Sequence, residues 1–283
     1  MADQLKAQQK LGGTAPLLAG KTVALIFSKA STRTRTSFEV GVYQLGGLGN
    51  YMNTAELQAG RGEPLKDTAR VLGRYYDCVV WRTYRQSDLE EFAELAGVPV
   101  INGLTDYAIL PGSGRPDDHS GAPGQPCGPE ALLCRRRQQH GKQPHRGRTA
   151  GWDAGHLRLP AELPPGGGCA DVRPQVRQRF HLTADPAEGI QDADVVATAV
   201  WNTAKPGTPE SEQRLRDFVG YQLTSKLLES AKPDVMVLHC LPAHRGEEIS
   251  SAVFEQHAPE IFDEAENRLH VQKAVLAILL AGK

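Results

Sequence analysis

Short apolar runs separated by amphipathic segments constrain the fold of this chain more than any other feature of its sequence. Residues 21–27 (KTVALIF) are almost continuously apolar, which is typical of a parallel strand buried on both faces. Residues 78–81 (CVVW) and 98–101 (VPVI) repeat the pattern, and segments with helical periodicity lie between these runs. This alternation predicts an α/β fold with a parallel sheet and right-handed crossovers.

The same alternation returns after residue 180. Residues 193–201 (ADVVATAVW) and 234–240 (DVMVLHC) predict two further buried strands, with a helical segment between them. The final helical segment, residues 265–282, places four apolar side chains on one predicted face: Val271, Val275, Ile278 and Leu279. A chain of 283 residues is long enough for two α/β domains.

Residues 109–180 differ in composition from the rest of the chain. They contain 12 of the 29 glycines, 10 of the 19 prolines and 10 arginines, but only one isoleucine and two valines. Proline and glycine at this density break helices, and so few branched residues disfavour buried strands. We therefore expect no sheet strand from this segment. One hypothesis is a coding frame shifted by one or two bases, and the alternative is a natural or designed basic insertion.

Charge and cysteine content predict a cytoplasmic protein that binds neither nucleic acid nor a membrane. The formal net charge is −1, from 32 basic and 33 acidic residues. The longest apolar run, residues 275–281, is too short to span a bilayer, and residues 1–10 lack the apolar core of a secretory signal. An odd number of scattered cysteines favours reduced thiols: Cys78, Cys127, Cys134, Cys169 and Cys240.

A run of hydroxyl and guanidinium side chains, residues 31–35 (STRTR), lies between the first apolar run and the helix predicted after it. Ligands bind at the carboxyl ends of parallel strands, and helix N-termini attract anions. Arg33 and Arg35 add guanidinium groups, which bind phosphate in a bidentate manner. The pattern favours a phosphate site over the alternative, a basic first turn whose arginines are solvated.

Several sequence blocks occur in the order typical of one enzyme family. The STRTR run is followed by SFEVG (residues 37–41), and four more blocks come later: residues 57–72 (LQAGRGEPLKDTARVL), 98–106 (VPVINGLTD), 239–250 (HCLPAHRGEEIS) and 266–277 (ENRLHVQKAVLA). With these blocks the chain resembles the aspartate and ornithine carbamoyltransferases, and the ornithine type in particular. The resemblance covers residues 10–107 and 181–283.

The resemblance implies two α/β domains, each with a parallel sheet flanked by helices, and a closing C-terminal helix. It assigns residues 1–108 to a carbamoyl-phosphate-binding domain and 181–250 to the remainder of an ornithine-binding domain. Residues 251–283 form a C-terminal region whose helix returns to the first domain, and the aberrant segment 109–180 lies between the two domains in sequence. The family also implies a homotrimer, with active sites in the interdomain cleft and at subunit contacts.

The implied reaction transfers the carbamoyl group of carbamoyl phosphate to the side-chain amine of ornithine, which gives citrulline and phosphate in arginine metabolism. Positioning two substrates and stabilising an oxyanion require neither a metal ion nor another cofactor. The resemblance assigns nine residues to carbamoyl phosphate: Ser31, Thr32, Arg33, Thr34, Gln58, Arg82, Cys240, Leu241 and Arg268. Thr34 and Arg82 polarise the carbonyl oxygen, and Gln58 comes from a neighbouring subunit.

Cys240 follows a predicted strand, so taken alone it is interpreted as a small buried hydrophobe. Within residues 239–248 (HCLPAHRGEE) the resemblance instead places Cys240 beside the ornithine amine, in contact with the carbamoyl-phosphate site, and directs the Leu241 carbonyl at the carbamoyl group. Arg82 and Cys240 are therefore the candidate catalytic residues, and Thr203 is a further candidate for ornithine binding. His239 and His244 are interpreted as structural or rim residues.

Three elements of the family pattern are missing, which predicts severely reduced activity. The family's His-Pro-Cys-Gln motif is replaced by residues 107–110 (YAIL), and losing one oxyanion donor costs about 10²–10³ in rate in other enzymes. The first strand of the acceptor domain, with its asparagine-bearing turn, has no counterpart in residues 109–180. Ala199 replaces the aspartate of the Asp-x-x-x-Ser-Met motif, and with it the carboxylate partner of the ornithine amino group.

Two alternative functions use other parts of the sequence. Residues 127–148 are basic and contain Cys127, Cys134, His140 and His145, so they could bind nucleic acid or zinc. Their spacing, C-x6-C-x5-H-x4-H, differs from common zinc-finger spacings, and a basic loop is the simpler interpretation. An altered acceptor, such as putrescine or an acetylated ornithine, is compatible with Ala199. We predict no bound metal and no cofactor.

Overall fold

The structure is a computed structural model of the chain. It describes residues 1–13, 15–57, 62–105, 131–135, 154–158, 180–183, 185–201 and 207–282. For residues 131–135, 154–158 and 180–182 this description covers the main chain. Contacts divide the chain into two compact units, one of Met1–Ser120 with Ala265–Lys283 and the other of Gly121–Glu264.

The first unit is built on a parallel sheet with strand order β2-β1-β3-β4. Its elements before residue 121 are α1 (Ala2–Lys10), β1 (Thr22–Phe27), α2 (Thr32–Gln44), β2 (Leu48–Asn53), α3 (Leu65–Tyr75), β3 (Cys78–Arg82), α4 (Gln86–Ala96) and β4 (Val100–Leu104). The strands β1, β3 and β4 and the helices between them were predicted from the sequence, whereas β2 was not. A short 3₁₀ turn, Thr54–Glu56, follows β2. The predicted α/β class is confirmed.

Strand β1 is buried on both faces, which explains its continuous apolar sequence. Leu25 and Phe27 pack in a cluster with side chains of α1, α2 and the C-terminal helix. Ala24 and Ile26 point to the opposite face and pack against α3 and α4. Since alternate residues of a strand face opposite sides, a strand covered by helices on both sides needs apolar residues at every position.

The second unit contains a five-stranded sheet with order β7-β6-β5-β8-β9. Its strands are β5 (Ala131–Arg135), β6 (Ala154–Arg158), β7 (Phe180–Thr183), β8 (Val195–Thr198) and β9 (Met236–His239). Strand β5 is antiparallel to β6 and β8, whereas β6 pairs with β7 and β8 with β9 in parallel. The expectation that residues 109–180 contribute no strand is wrong. Composition averaged over the segment hides two short runs that pair as strands.

The helices of the second unit are α5 (Pro186–Ile190), α6 (Pro209–Asp217), α7 (Ser225–Leu228), α8 (Ser251–Gln256) and the first part of α9 (Ala258–Leu280). The second part of α9, from Ala265, belongs to the first unit. The core of the second unit includes Val196 of β8, Val237 of β9 and Phe254 of α8. None of the helices in the described part of the chain has the length and apolar character needed to cross a membrane.

Helix α9 buries a different face from the one its sequence predicts. Val271 and Ile278 are 49% and 67% exposed, respectively. The buried positions include His270, Lys273 and Ala277, which recur at helical spacing. The prediction was wrong because it followed the most apolar side chains, whereas this helix buries two polar residues that find hydrogen-bond partners.

Candidate functional site

The turn between β1 and α2, residues 28–31, lies where three strands of the first sheet end. The Ser28 amide donates to the Arg82 carbonyl oxygen at 2.8 Å, and strand register pairs Phe27 with Arg82. The Ser28 and Thr54 hydroxyls are 2.7 Å apart, which connects the turn to the end of β2. The carboxyl ends of the three strands therefore meet at the turn, the position at which α/β sheets bind ligands.

Ser31 precedes the first residue of α2 and has an extended backbone, with φ −158°. Among the described residues its side chain makes no hydrogen bond that caps the helix. The Ser31 hydroxyl and the first N–H groups of α2 can therefore bind an anion together. Thr32 is exposed and Arg33 is half-buried beside it.

Arg268 of α9 approaches the same turn from the other end of the chain. Its Nη2 donates to Thr34 Oγ1 at 2.7 Å, and Thr34 is buried at 5% exposure. Arg82 is half-buried at the end of β3. The structure thus gathers Ser31, Thr34 and the cations of β3 and α9 at one edge of the sheet, and a helix N-terminus adds further positive potential.

Arg35, the second arginine of the run, contacts Tyr51 and Glu39. Its guanidinium carbon lies 3.4 Å from the centre of the Tyr51 ring, and its Nε is 3.5 Å from Glu39 Oε2. Arg35, Glu39 and Tyr51 line a cavity of about 360 Å³ together with Ser31 and Thr32. Glu39 therefore offsets the charge of Arg35, and phosphate binding by the two arginines of the run stays a prediction.

Helix α9 is held in place by a buried lysine. Lys273 is 4% exposed, and its Nζ donates to Gln9 Oε1 of α1 and Gln44 Oε1 of α2, both at 3.0 Å. Burial lowers the pKa of Lys273. Because Arg268 lies on the same helix, these bonds fix the position from which Arg268 reaches Thr34.

In the second unit, β8 and β9 end side by side. Register pairs Thr198 with His239, so Ala199 and Cys240 each follow a paired residue at the carboxyl edge. Cys240 is exposed. Cys78, in contrast, is buried in the first unit, and burial raises the pKa of its thiol to about 12. Of these two thiols, only Cys240 is placed to meet a ligand.

Residues 239–244, here called the HCLP loop, are held by a buried histidine and a buried glutamate. His239 Nε2 lies 3.1 Å from Glu248 Oε1, and the Leu241 amide donates to His239 Nδ1 at 2.8 Å. His239 is 1% exposed and Glu248 is completely buried, whereas His244 is exposed. Of the two interpretations made from the sequence, structural or rim, His239 fits the structural one because it is buried, whereas no role was predicted for Glu248.

One group of side chains in the described residues has the arrangement of metal ligands. His244, Glu247 and Glu248 place one potential ligand atom each within 4.8 Å of one another. The Glu248 carboxylate, however, already accepts hydrogen bonds from within the loop. We therefore interpret the group as part of the loop framework.

Some predicted residues lie outside the described residues, and two contributors were missed. Gln58 and Thr203 belong to the first set, as do Cys127, His140 and His145, and only the main chain of Cys134 is described. Thr54 and Glu248 were missed. Thr54 precedes the block of residues 57–72, and Glu248 lies within the block of residues 239–250. No sequence spacing links Thr54 to Ser28 before the order of the strands is known.

The sheet and its turn define an α/β protein with a candidate anion site at a strand–helix junction. A family model described as the aspartate/ornithine carbamoyltransferase carbamoyl-P binding domain matches residues 1–108, and the model of the Asp/Orn binding domain matches residues 169–279. The chain belongs to the aspartate/ornithine carbamoyltransferase family. Residues 109–168 lie between the two matches.

Relatives and solved structures agree with this assignment. An ornithine carbamoyltransferase of Pelobacter propionicus is 45% identical over 289 aligned residues, which cover 100% of this chain and 93% of the relative. One from Geobacter metallireducens is 44% identical and covers 98% of this chain and 92% of the relative. The structure of ornithine carbamoyltransferase from Pyrococcus furiosus is similar with a TM-score of 0.78 at 34% identity, and covers 100% of this chain and 91% of that one.

Proposed function

We propose that this chain transfers the carbamoyl group of carbamoyl phosphate to the side-chain amine of ornithine, which yields citrulline and phosphate. The observation that carries the proposal is the β1–α2 turn. It presents the Ser31 hydroxyl and the N-terminus of α2 beside Arg82, with Arg268 bonded to Thr34. Curated relatives with this activity align with 98–100% of the chain.

The donor is bound by residues of the first unit. Ser31, Thr32 and Arg33 bind the phosphate, and Thr34 and Arg82 polarise the carbonyl oxygen. Arg268 holds Thr34 through the 2.7 Å bond and adds positive charge. As the amine forms its bond to the carbonyl carbon, the oxyanion and the departing phosphate both gain negative charge, which these groups stabilise. Gln58 completes the phosphate site from a neighbouring subunit.

The acceptor is bound by residues of the second unit. Cys240 lies beside the ornithine amine, the Leu241 carbonyl faces the carbamoyl group, and Thr203 contacts ornithine. Ala199 lies next to Cys240 at the end of β8 and offers no carboxylate to the ornithine amino group. An ammonium without its anionic partner binds weakly, so we propose slow turnover and a high KM for ornithine.

Citrulline formation tests this proposal directly. Purified chain is incubated with carbamoyl phosphate and ornithine, and citrulline and phosphate are measured together. We expect equal amounts of the two products, at a low rate that saturates with carbamoyl phosphate. Phosphate release without citrulline, or faster turnover with putrescine or acetylated ornithine than with ornithine, would contradict the proposal.

We also propose that the chain assembles as a homotrimer in the cytoplasm. Beside the edge strand β2, the apolar side chains of Tyr43 and Leu48 are 79% and 64% exposed, respectively. Covering such side chains favours association, and Gln58 follows this strand in sequence. Sedimentation of the parent chain should give three subunits, and Leu48→Asp should lower that number. A monomeric parent chain would contradict the proposal.

The domain division is a further proposal. Residues 1–108 bind carbamoyl phosphate, 181–250 belong to the ornithine domain, and 109–180 are aberrant. Residues 251–283 form a C-terminal region whose helix returns to the first domain, which it joins from Ala265 onward. The family match that ends at residue 108 supports the first boundary, whereas the second match begins at residue 169, before the proposed boundary at 181. Resequencing the DNA for residues 105–185 tests the origin of the segment, because a one- or two-base change that restores His-Pro-Cys-Gln would identify a frame error.

A further inference from the structure

Leu241 adopts a backbone conformation that a leucine disfavours. Its φ is 53°, in the left-handed region where the side chain crowds the main chain. Such a residue persists only if its surroundings fix it. The contact that does so is the hydrogen bond from the Leu241 amide to His239 Nδ1, two residues earlier in the HCLP loop.

The accepting nitrogen determines the tautomer of His239. A ring nitrogen that accepts a hydrogen bond carries no proton, so the neutral ring holds its proton on Nε2. Nε2 lies 3.1 Å from Glu248 Oε1 and donates to it. The carboxylate thus orients the ring, and the ring presents its acceptor to Leu241.

The same carboxylate oxygen also fixes the far end of the loop. The His244 amide donates to Glu248 Oε1 at 2.5 Å, so both ends of residues 239–244 depend on one buried oxygen. Glu248 is held in turn by its main chain, whose carbonyl accepts from the Leu223 amide at 2.9 Å. The loop therefore has one conformation as long as this oxygen and the His239 ring are in place.

We infer that His239 and Glu248 are positioning residues for carbamoyl transfer, which act by holding Leu241 and Cys240 in the conformation that meets the acceptor. This inference rests on the proposed function, because that function gives the Leu241 carbonyl and Cys240 their roles. Neither positioning residue touches the substrate. Their effect is on the geometry of the two residues between them.

Two variants of His239 separate its two hydrogen bonds. In His239→Asn the side-chain oxygen takes the place of Nδ1 and accepts from the amide two residues later, as asparagine does in Asx-turns. In His239→Gln the amide group reaches the place of Nε2, so the bond to Glu248 is kept and the bond to Leu241 is lost. Glu248→Gln retains an acceptor oxygen and Glu248→Met does not, which provides a second pair.

Amide hydrogen exchange in the full-length chain measures the Leu241 bond without requiring turnover. We expect parent-like protection of the Leu241 amide in His239→Asn and Glu248→Gln. In His239→Gln and Glu248→Met we expect exchange about tenfold faster or more, with the Val237 amide of β9 as the internal reference. Equal protection in both His239 variants, or equal loss in both, would overturn the inference.

Kinetics give the functional side of the test. His239→Gln should lower kcat/KM for ornithine about tenfold to a hundredfold while the KM for carbamoyl phosphate stays constant, and His239→Asn should remain close to the parent. If the role of His239 were merely structural, both variants would lose kcat/KM to the same extent and the KM values for both substrates would rise. That result would contradict the inference. Absence of citrulline formation by the parent chain would refute the proposed function, and the exchange comparison would then decide by itself whether the pair holds the loop.

Discussion

The β1–α2 turn and the end of β8 are both candidate ligand-binding strand ends, but they differ in how many of the expected functional side chains they carry. At the turn, Ser31, Thr34 and Arg268 are present and in place, supported by bonds from β2, β3 and α9. At the end of β8 the strand register and the HCLP loop are intact, yet Ala199 carries no functional group. The comparison shows that a strand end can keep its backbone framework and still lack a functional side chain. We therefore expect tighter binding of carbamoyl phosphate at the turn than of ornithine at the end of β8.

The largest effect should come from Arg33, which distinguishes the donor turn from a merely basic helix start. Arg33→Ala should lower kcat/KM for carbamoyl phosphate about 10²–10³-fold, because a charge-assisted bond to phosphate is lost. Initial rates at varied carbamoyl phosphate measure this. Arg35→Ala is the matched control and should change the value less than about threefold, because Glu39 already offsets the Arg35 charge. Equal losses in the two variants would remove the distinction between the two arginines.

Ornithine binding at the end of β8 should strengthen when a carboxylate is introduced at position 199. Ala199→Asp should raise kcat/KM for ornithine about tenfold to a hundredfold, since a carboxylate then pairs with the ammonium of the substrate. Steady-state citrulline assays measure the change, with Ala199→Asn as a control of similar size and no charge. If kcat/KM for ornithine rises as much in Ala199→Asn as in Ala199→Asp, the missing negative charge is not the cause of weak ornithine binding.

Arg268 tests whether α9 contributes to the donor turn. Arg268→Met should raise the KM for carbamoyl phosphate about tenfold, because the bond to Thr34 and one positive charge disappear. Asn267→Ala, one residue earlier, is the control, since its partner is Lys6 and not the turn. An unchanged KM in Arg268→Met would show that the donor turn functions without α9.

The smallest effect concerns the anchoring of α9 by Lys273. Its pKa is below the ordinary 10.5 in the folded state, so the unfolded chain binds more protons between the two values. The free energy of unfolding of the parent should therefore rise with pH in that window, relative to Lys273→Met, which has no proton to lose. At neutral pH the two should differ by about 2 kcal/mol or less. Urea unfolding from about pH 8 to about pH 10 measures this. A free energy of unfolding of the parent that falls with rising pH, relative to Lys273→Met, would mean a raised pKa in the folded state and would contradict the lowered pKa of Lys273.

Much of the donor side could be predicted from sequence, because it depends on local patterns. The continuous apolar run of β1 and the STRTR sequence after it identify a strand, a turn and a helix start within about fifteen residues. The role of Arg35 could not be predicted, since Tyr51 reaches it only through the pairing of β1 with β2. Local periodicity does not reveal which strands pair when they are distant in sequence.

The same limit explains the errors elsewhere. Lys273 is on the buried face of α9 because Gln9 and Gln44, far away in sequence, accept from it. Strand β5 forms from five residues whose neighbours in sequence are rich in proline and glycine. The pair His239 and Glu248 is close in sequence, but its purpose depends on the conformation of Leu241, which sequence spacing does not reveal.

The position of bound phosphate tests the donor turn most directly. Crystals of the parent chain soaked with carbamoyl phosphate, or with a stable phosphonate analogue, would show where the anion binds. We expect phosphate oxygens within hydrogen-bonding distance of the Ser31 and Thr32 hydroxyls and of the Arg33 guanidinium. Phosphate bound away from these residues, with the turn empty at saturating ligand, would contradict the assignment of the donor site.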